Sequence, residues 1–188
     1  MKKIKVIPLI IFVIALSSLA CNLSFGRQEK QGETILVTTE SVESLQESAQ
    51  GAVEESIQSG NIEFAITEAQ LTSLLTFELQ ERVGNQISNL QVLLRDGQIQ
   101  LFGDVDTQGI SATVRVIVSV RVDPVGRPVL EVVSSSIGPF PVPGELVSEL
   151  ETLMNKAFQE KIDSMAPNMH IESIVIENGT MTIIGRSK

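Results

Sequence analysis

The sequence predicts an α+β fold in which a long, twisted antiparallel meander wraps on one or two long helices. In residues 110–122, Ile110, Ala112, Val114, Val116, Val118, Val120 and Val122 take every second position, with mostly Ser, Thr and Arg between them. That period-two alternation is a strand with one dry face. At about 3.3 Å per residue it runs roughly 43 Å, more than twice the usual strand length, so something long must lie along it. Residues 67–84 and 145–165 supply two candidates, since each spaces apolar side chains helically over about half its circumference. Asp96-Gly97 and Asn178-Gly179, each set between alternating apolar runs, add two-residue hairpin turns.

The 188 residues suffice for one domain with a real core. Composition is 43% hydrophobic but only 4% aromatic, without Trp or Tyr, so the core is built from Val, Ile, Leu and Met. Aliphatic surfaces suit acyl chains and serve base or sugar stacking poorly. The formal charge is −9, and loss of the first twenty residues removes Lys2, Lys3 and Lys5 without an acid, giving −12. That balance opposes nucleic acid as a partner and reads as a solvated acidic surface.

Three lysines in residues 1–5, an apolar run over 6–16 and small residues at 17–20 form a secretory signal, too short to span a membrane. Ser17-Ser18-Leu19-Ala20 before the lone Cys21 resembles the lipobox of bacterial lipoproteins, with leucine one step nearer the cysteine than is usual. The resemblance implies cleavage after residue 20 and a diacylglyceryl thioether on Cys21. The protein is then exported and anchored by its acyl chains to the outer face of the cell membrane, or to an outer membrane. Residues 22–32 read as a polar tether. Residues 34–39 suggest a short strand, and 41–59 a helix with the stripe Val42, Leu45, Ala49, Ala52, Val53 and Ile57, weakened by Gly51. This divides the chain into 1–20 (signal), 21–60 (lipidated Cys, tether and helix) and 61–188 (one α+β domain).

In that domain Ile62, Phe64 and Ile66 alternate as a strand. Thr67-Glu68-Ala69-Gln70 then forms a capping box, opening a helix that stops at Gly84, with Glu78 and Arg82 as an i,i+4 pair at its solvated end. Residues 87–105 fold at Asp96-Gly97; Arg95 facing Gln98 sets Leu94 against Ile99, Val92 against Leu101 and Leu90 against Gly103. The long strand follows, then a turn at 123–126 and a strand over 129–137, which completes a four-stranded meander. Three prolines make 137–144 a stiff extended crossing. The helix over 145–165 carries Leu146, Val147, Leu150, Leu153, Met154, Ala157, Phe158, Ile162 and Met165, with Lys161 inside the arc. The last hairpin, 170–186, aligns with the first on its turn, so a helix-plus-hairpin unit occurs twice.

Chemistry-bearing patterns are sparse. The one histidine, His170, starts a strand; Ser134, Ser135 and Ser136 end one without a nucleophile elbow. Asp104, Asp106 and Gly109 suggest a calcium loop, but Gln108 and Arg115 stand where ligands are required. No zinc spacing or phosphate loop occurs, and neither an enzyme nor a cofactor is expected.

The element order behind a lipoprotein signal, the run TEAQLTSLL at 67–75 and the run IGPFPVP at 137–143 resemble small bacterial lipoproteins related to the tubular lipid-binding (TULIP) superfamily, over about residues 61–186. The resemblance implies a curved sheet on a long helix with a lipid-sized groove between. The expected function is a non-enzymatic, membrane-tethered binder of a phospholipid, fatty-acyl chain or other apolar ligand. Its site would lie between Val114, Val116, Val118 and Val120 on the sheet and Leu150, Met154 and Phe158 on the helix. The alternative is an envelope scaffold or assembly lipoprotein with a packed core and a protein partner. A cavity of a few hundred Å³ lined by these residues would favour the first, and dense packing the second.

Overall fold

The computed structural model describes residues 34–107, 110–165 and 169–187. The expected signal, Cys21 and the polar tether lie outside them. Among the described residues no helix is long and apolar enough to cross a membrane, and the architecture is α+β with two antiparallel sheets.

Helix α1 (Thr39–Ser59) begins where the Thr38 hydroxyl accepts from the Ser41 N–H (3.1 Å) and ends at Gly60, whose φ of +75° suits a left-handed cap. It buries Leu45, Ala49, Ala52 and Ser56. The expected stripe is therefore rotated. At 100° per residue Ile57 falls about 110° from the centre of this arc, and it is 81% exposed. Leu45 and Ala52 join the same buried cluster as Ile62, Phe64 and Ile66, so the helix is part of the body. The short strand expected at 34–39 does not form. Instead the Gln91 side-chain amide occupies a neighbouring strand's place, its Oε1 accepting from Ile35 N–H (2.7 Å) and its Nε2 donating to Ile35 O (3.2 Å).

Strand β1 (Asn61–Thr67) alternates buried and exposed residues throughout. Thr67 then caps α2 (Glu68–Val83) through the predicted reciprocal box: Gln70 N–H donates to the Thr67 hydroxyl (3.2 Å) and Thr67 N–H to Gln70 Oε1 (2.9 Å). Next come β2 (Ile87–Arg95), β3 (Gln98–Thr107), β4 (Ile110–Val122), β5 (Pro128–Ile137) and the two-residue β6 (Phe140–Pro141), which pair in chain order as a five-stranded sheet. Helix α3 (Gly144–Met165) leads to β7 (Met169–Glu177) and β8 (Thr180–Ser187), and β8 lies between β1 and β7 in a three-stranded sheet.

The predicted pairings Arg95–Gln98, Leu94–Ile99 and Val92–Leu101 are present, but the pairing of Leu90 with Gly103 is not. Asn89, at φ +50°, and Leu90 bulge between Ser88 and Gln91, where the ladder shifts. The second hairpin is also bulged, between Ile171 and Ser173, with Gly185 opposite Ile171. The two hairpins thus share turn type and a bulge near the corresponding glycine, yet they enter different sheets, so the repetition is local. The proline segment also differs from the expected crossing. Gly138, at φ +56°, turns the chain back so that Ile137 pairs with Phe140 and Ser136 with Pro141; at a sheet edge the missing proline donors are not needed.

The core lies between the two sheets. Val92, Leu94, Val118, Ile171, Met181 and Ile183 are essentially inaccessible, and β7 packs on β4 and β2. The two sheets are also joined at the β4–β5 turn, where Ile171 N–H donates to Gly126 O (3.2 Å). Gly126 has φ +79°, and a Cβ there would sit 2.2 Å from His170 Nδ1, so only glycine fits beneath that ring.

Candidate functional site

The seven expected ligand-binding residues do not face one another across an open groove. Val118 is fully buried, while Val116, Val120, Met154 and Phe158 are partly buried against the same core cluster. Val114 and Leu150 are half-buried. Helix α3 runs along β5, and β5 is the neighbour of β4 in the sheet. The helix backbone thus lies along β5, while its Met154 and Phe158 reach the same core cluster as Val116, Val118 and Val120. Two open depressions among the described residues are lined by none of the seven. One of about 180 Å³ lies between α2 and the start of β2, lined by Thr76, Gln80, Asn85 and Ser88 among others. The other, of about 500 Å³, lies between α1 and β1.

Apolar exposure gathers elsewhere. Ile137 (44%) and Phe140 (71%) pair at the end of the sheet, and Leu146 (53%) and Leu153 (59%) stand on α3, whose apolar arc is wider than β5 can cover. The same helix carries polar groups that bind the strand. Asn155 Oδ1 accepts from Leu130 N–H (2.8 Å), Asn155 Nδ2 donates to Leu130 O (2.8 Å), and Glu151 Oε1 accepts from Val132 N–H (2.7 Å).

The opposite edge of that sheet is closed in the same way. On α2 the fully buried Thr72 hydroxyl accepts from Val92 N–H (3.0 Å) and lies 3.5 Å from Val92 O, and Glu68 Oε1 accepts from Leu94 N–H (2.7 Å). A glutamate and a second polar residue four later on a helix thus meet strand residues two apart. The geometry explains the match: four helical residues rise about 6 Å and two strand residues about 6.6 Å. Edge N–H and C=O groups that would otherwise template aggregation are satisfied by side chains. Sequence reading missed Thr72, Glu151 and Asn155 because each partner lies about twenty residues away; the signal available was a Glu-x-x-x-polar pair on an otherwise amphipathic helix.

Basic side chains are nearly all matched. Among the described residues every Lys or Arg except Arg115 has a carboxylate within 4.0 Å. Glu78 is shared by Arg82 (3.7 Å) and by Lys161 of α3 (3.1 Å), so the expected i,i+4 pair is part of a link between helices. Arg115 lies 5.2 Å from the centroid of the Phe102 ring, with its Nε buried and unbonded. In the β4–β5 turn the Arg127 N–H donates to Asp123, and this bond, with those from the Arg127 guanidinium and Val125 N–H, holds the carboxyl below its usual value against some desolvation. His170 lies against Gly126, before β5, whereas Ser134–Ser136 end that strand; the structure does not bring them together. Among the described residues no cluster of His, Cys, Asp and Glu is arranged to hold a metal ion.

No family model matches the chain, and neither the curated proteins nor the solved structures contain a match to it.

Proposed function

We propose that this chain is a non-enzymatic lipoprotein, tethered through Cys21 to the outer face of a membrane, that serves as an envelope scaffold or assembly factor for a protein partner. The observation that carries this reading is the filled sheet–helix interface. Val118 is inaccessible, Met154 and Phe158 pack against the core, and the two depressions are lined by other residues. A lipid carrier needs an apolar volume of several hundred Å³ in that place. Met154→Ala is the test of filling. In a packed interface the substitution costs about 2 kcal/mol or more in chemical denaturation; a groove residue costs less and changes ligand retention instead.

A second reading, binding of a phospholipid or fatty-acyl chain, is favoured by one observation. Val114 and Leu150 are only half-buried, and Ile137, Phe140, Leu146 and Leu153 are exposed, an apolar margin of the kind that marks interaction surfaces. Native mass spectrometry of the full-length protein, with organic extraction, separates the two. A stoichiometric co-purified lipid that is lost in Leu150→Asp selects the ligand reading. A mass without ligand, unchanged on adding phospholipid or fatty acid, selects the scaffold, whose partner is then sought with a photocrosslinker at position 140.

A further inference from the structure

We propose that the outer edge of β1 is a slot for strand addition, taken by an extended segment of a partner protein that carries lysine or arginine at alternate positions. This rests on the protein-partner reading and specifies where on the fold the partner binds.

The backbone of β1 alternates in direction. Glu68 N–H, just past the strand, donates to Gly179 O at the β7–β8 turn (3.2 Å), so the even-numbered residues face β8. The odd-numbered ones face away. Two of these are satisfied from within the chain: Ser59 Oγ accepts from Asn61 N–H (3.2 Å) and its one proton is shared between Asn61 O (3.0 Å) and Glu55 O (3.1 Å), and Gln70 Oε1 accepts from Thr67 N–H. Between them the N–H and C=O of Glu63 and of Ala65 have no partner among the described residues. Glu63 and Ala65 both line the trench of about 500 Å³, whose other walls include Ala52, Glu55 and Ser59 of α1 and Thr182 of β8.

Comparison with the other two helices shows what is left open. Thr72 and Asn155 each bind a strand residue, and the glutamate four residues earlier, Glu68 or Glu151, takes the N–H two residues further along. On α1, Ser59 binds Asn61 in the same manner, and the corresponding glutamate is Glu55. Its carboxylate has no partner among the described residues, and the N–H it would take, that of Glu63, is on the other side of the trench. The edge-closing pattern is half made at β1. An incoming strand would supply the acceptors and donors that Glu63 and Ala65 lack.

Charge selects the occupant. Glu55 and Glu63 are both exposed at the trench. A second copy paired edge to edge would bring four carboxylates together, and like charges on paired strands are unfavourable. A segment with basic side chains on the matching face meets them favourably, and its affinity falls with added salt.

The test uses full-length protein in detergent micelles and an octapeptide alternating valine and lysine, with hydrogen exchange read at individual amides. Binding should slow exchange at Glu63 and Ala65, and a valine–glutamate octapeptide should not bind. Ala65→Pro, which deletes one outward donor, should weaken the lysine peptide about tenfold. Glu55→Lys, an exposed change that leaves folding intact, should do the same through charge. Protection at other strands, equal binding of both peptides, or indifference to Glu55→Lys would overturn the slot. So would protection of Glu63 that appears without peptide as protein concentration rises, which would mark a second copy as the occupant. If the lysine peptide fails while a protein is crosslinked from position 140, the slot is refuted and the scaffold reading stands; if both fail, both are refuted.

Discussion

The two sheets treat their edges differently. In the five-stranded sheet both β2 and β5 are closed by a helix through a glutamate and a hydroxyl or amide one turn on. In the three-stranded sheet β1 receives only the second half of that pattern, from Ser59. The residue types at the helix positions are alike in all three cases. What differs is whether the carboxylate reaches the strand: those of Glu68 and Glu151 do, and that of Glu55 does not.

The largest effect comes from the core the two sheets share. Val118→Asp places an unpaired charge where Val118 now has no accessible surface, and should cost about 4 kcal/mol or more, abolishing cooperative unfolding measured by circular dichroism. Next is the junction between the sheets. Gly126→Ala strains a φ of +79° and drives a methyl into the His170 ring; about 2–4 kcal/mol should be lost in urea denaturation, with the exchange of Ile171 N–H rising most. The comparison itself is sharpened by a matched pair. Thr72→Val leaves the N–H of Val92 unpaired in a buried site and should cost about 1–3 kcal/mol, whereas Ser59→Ala, at an exposed edge where water substitutes, should cost less than about 1 kcal/mol. Equal losses would mean that the two edges are equally closed.

The smallest effect is a pH dependence confined to the β4–β5 turn. Because the Asp123 carboxyl is held below its usual value by donors that favour the charged form, its contribution is present above the ordinary Asp range. It is lost as pH falls through the folded value. Asp123→Asn should therefore flatten the acid limb of a stability–pH profile and leave the neutral region little changed apart from a constant offset.

Features written in neighbouring residues were legible in the sequence. The Thr67–Gln70 box, the Asp96-Gly97 and Asn178-Gly179 turns and the thirteen-residue β4 are all present, because spacing alone specifies them. Features that depend on distant partners were not. Ser56, Thr72 and Ser73 are polar yet buried; Thr72 is matched by Val92 and Ser73 by the Thr38 N–H. The alternating strand β4 is present, but of its valine row only Val118 is fully buried and the rest are half-buried, and periodicity does not say what lies on it. The cover includes β7 as well as Met154 and Phe158 of the long helix, and the expected binding residues are divided between a filled core and a half-buried margin.

The pairing of β1 with β8 joins Asn61 to Arg186 and Thr67 to Thr180, residues more than a hundred positions apart. The meander of the larger sheet closes only short loops, so it can assemble early, while β1 waits for the last hairpin of the chain. Closing so long a loop is entropically expensive and slow. During synthesis β1 is therefore the first of the described strands to be made and among the last to find its partner, and α1, joined to it directly through Gly60, is the element that packs on it.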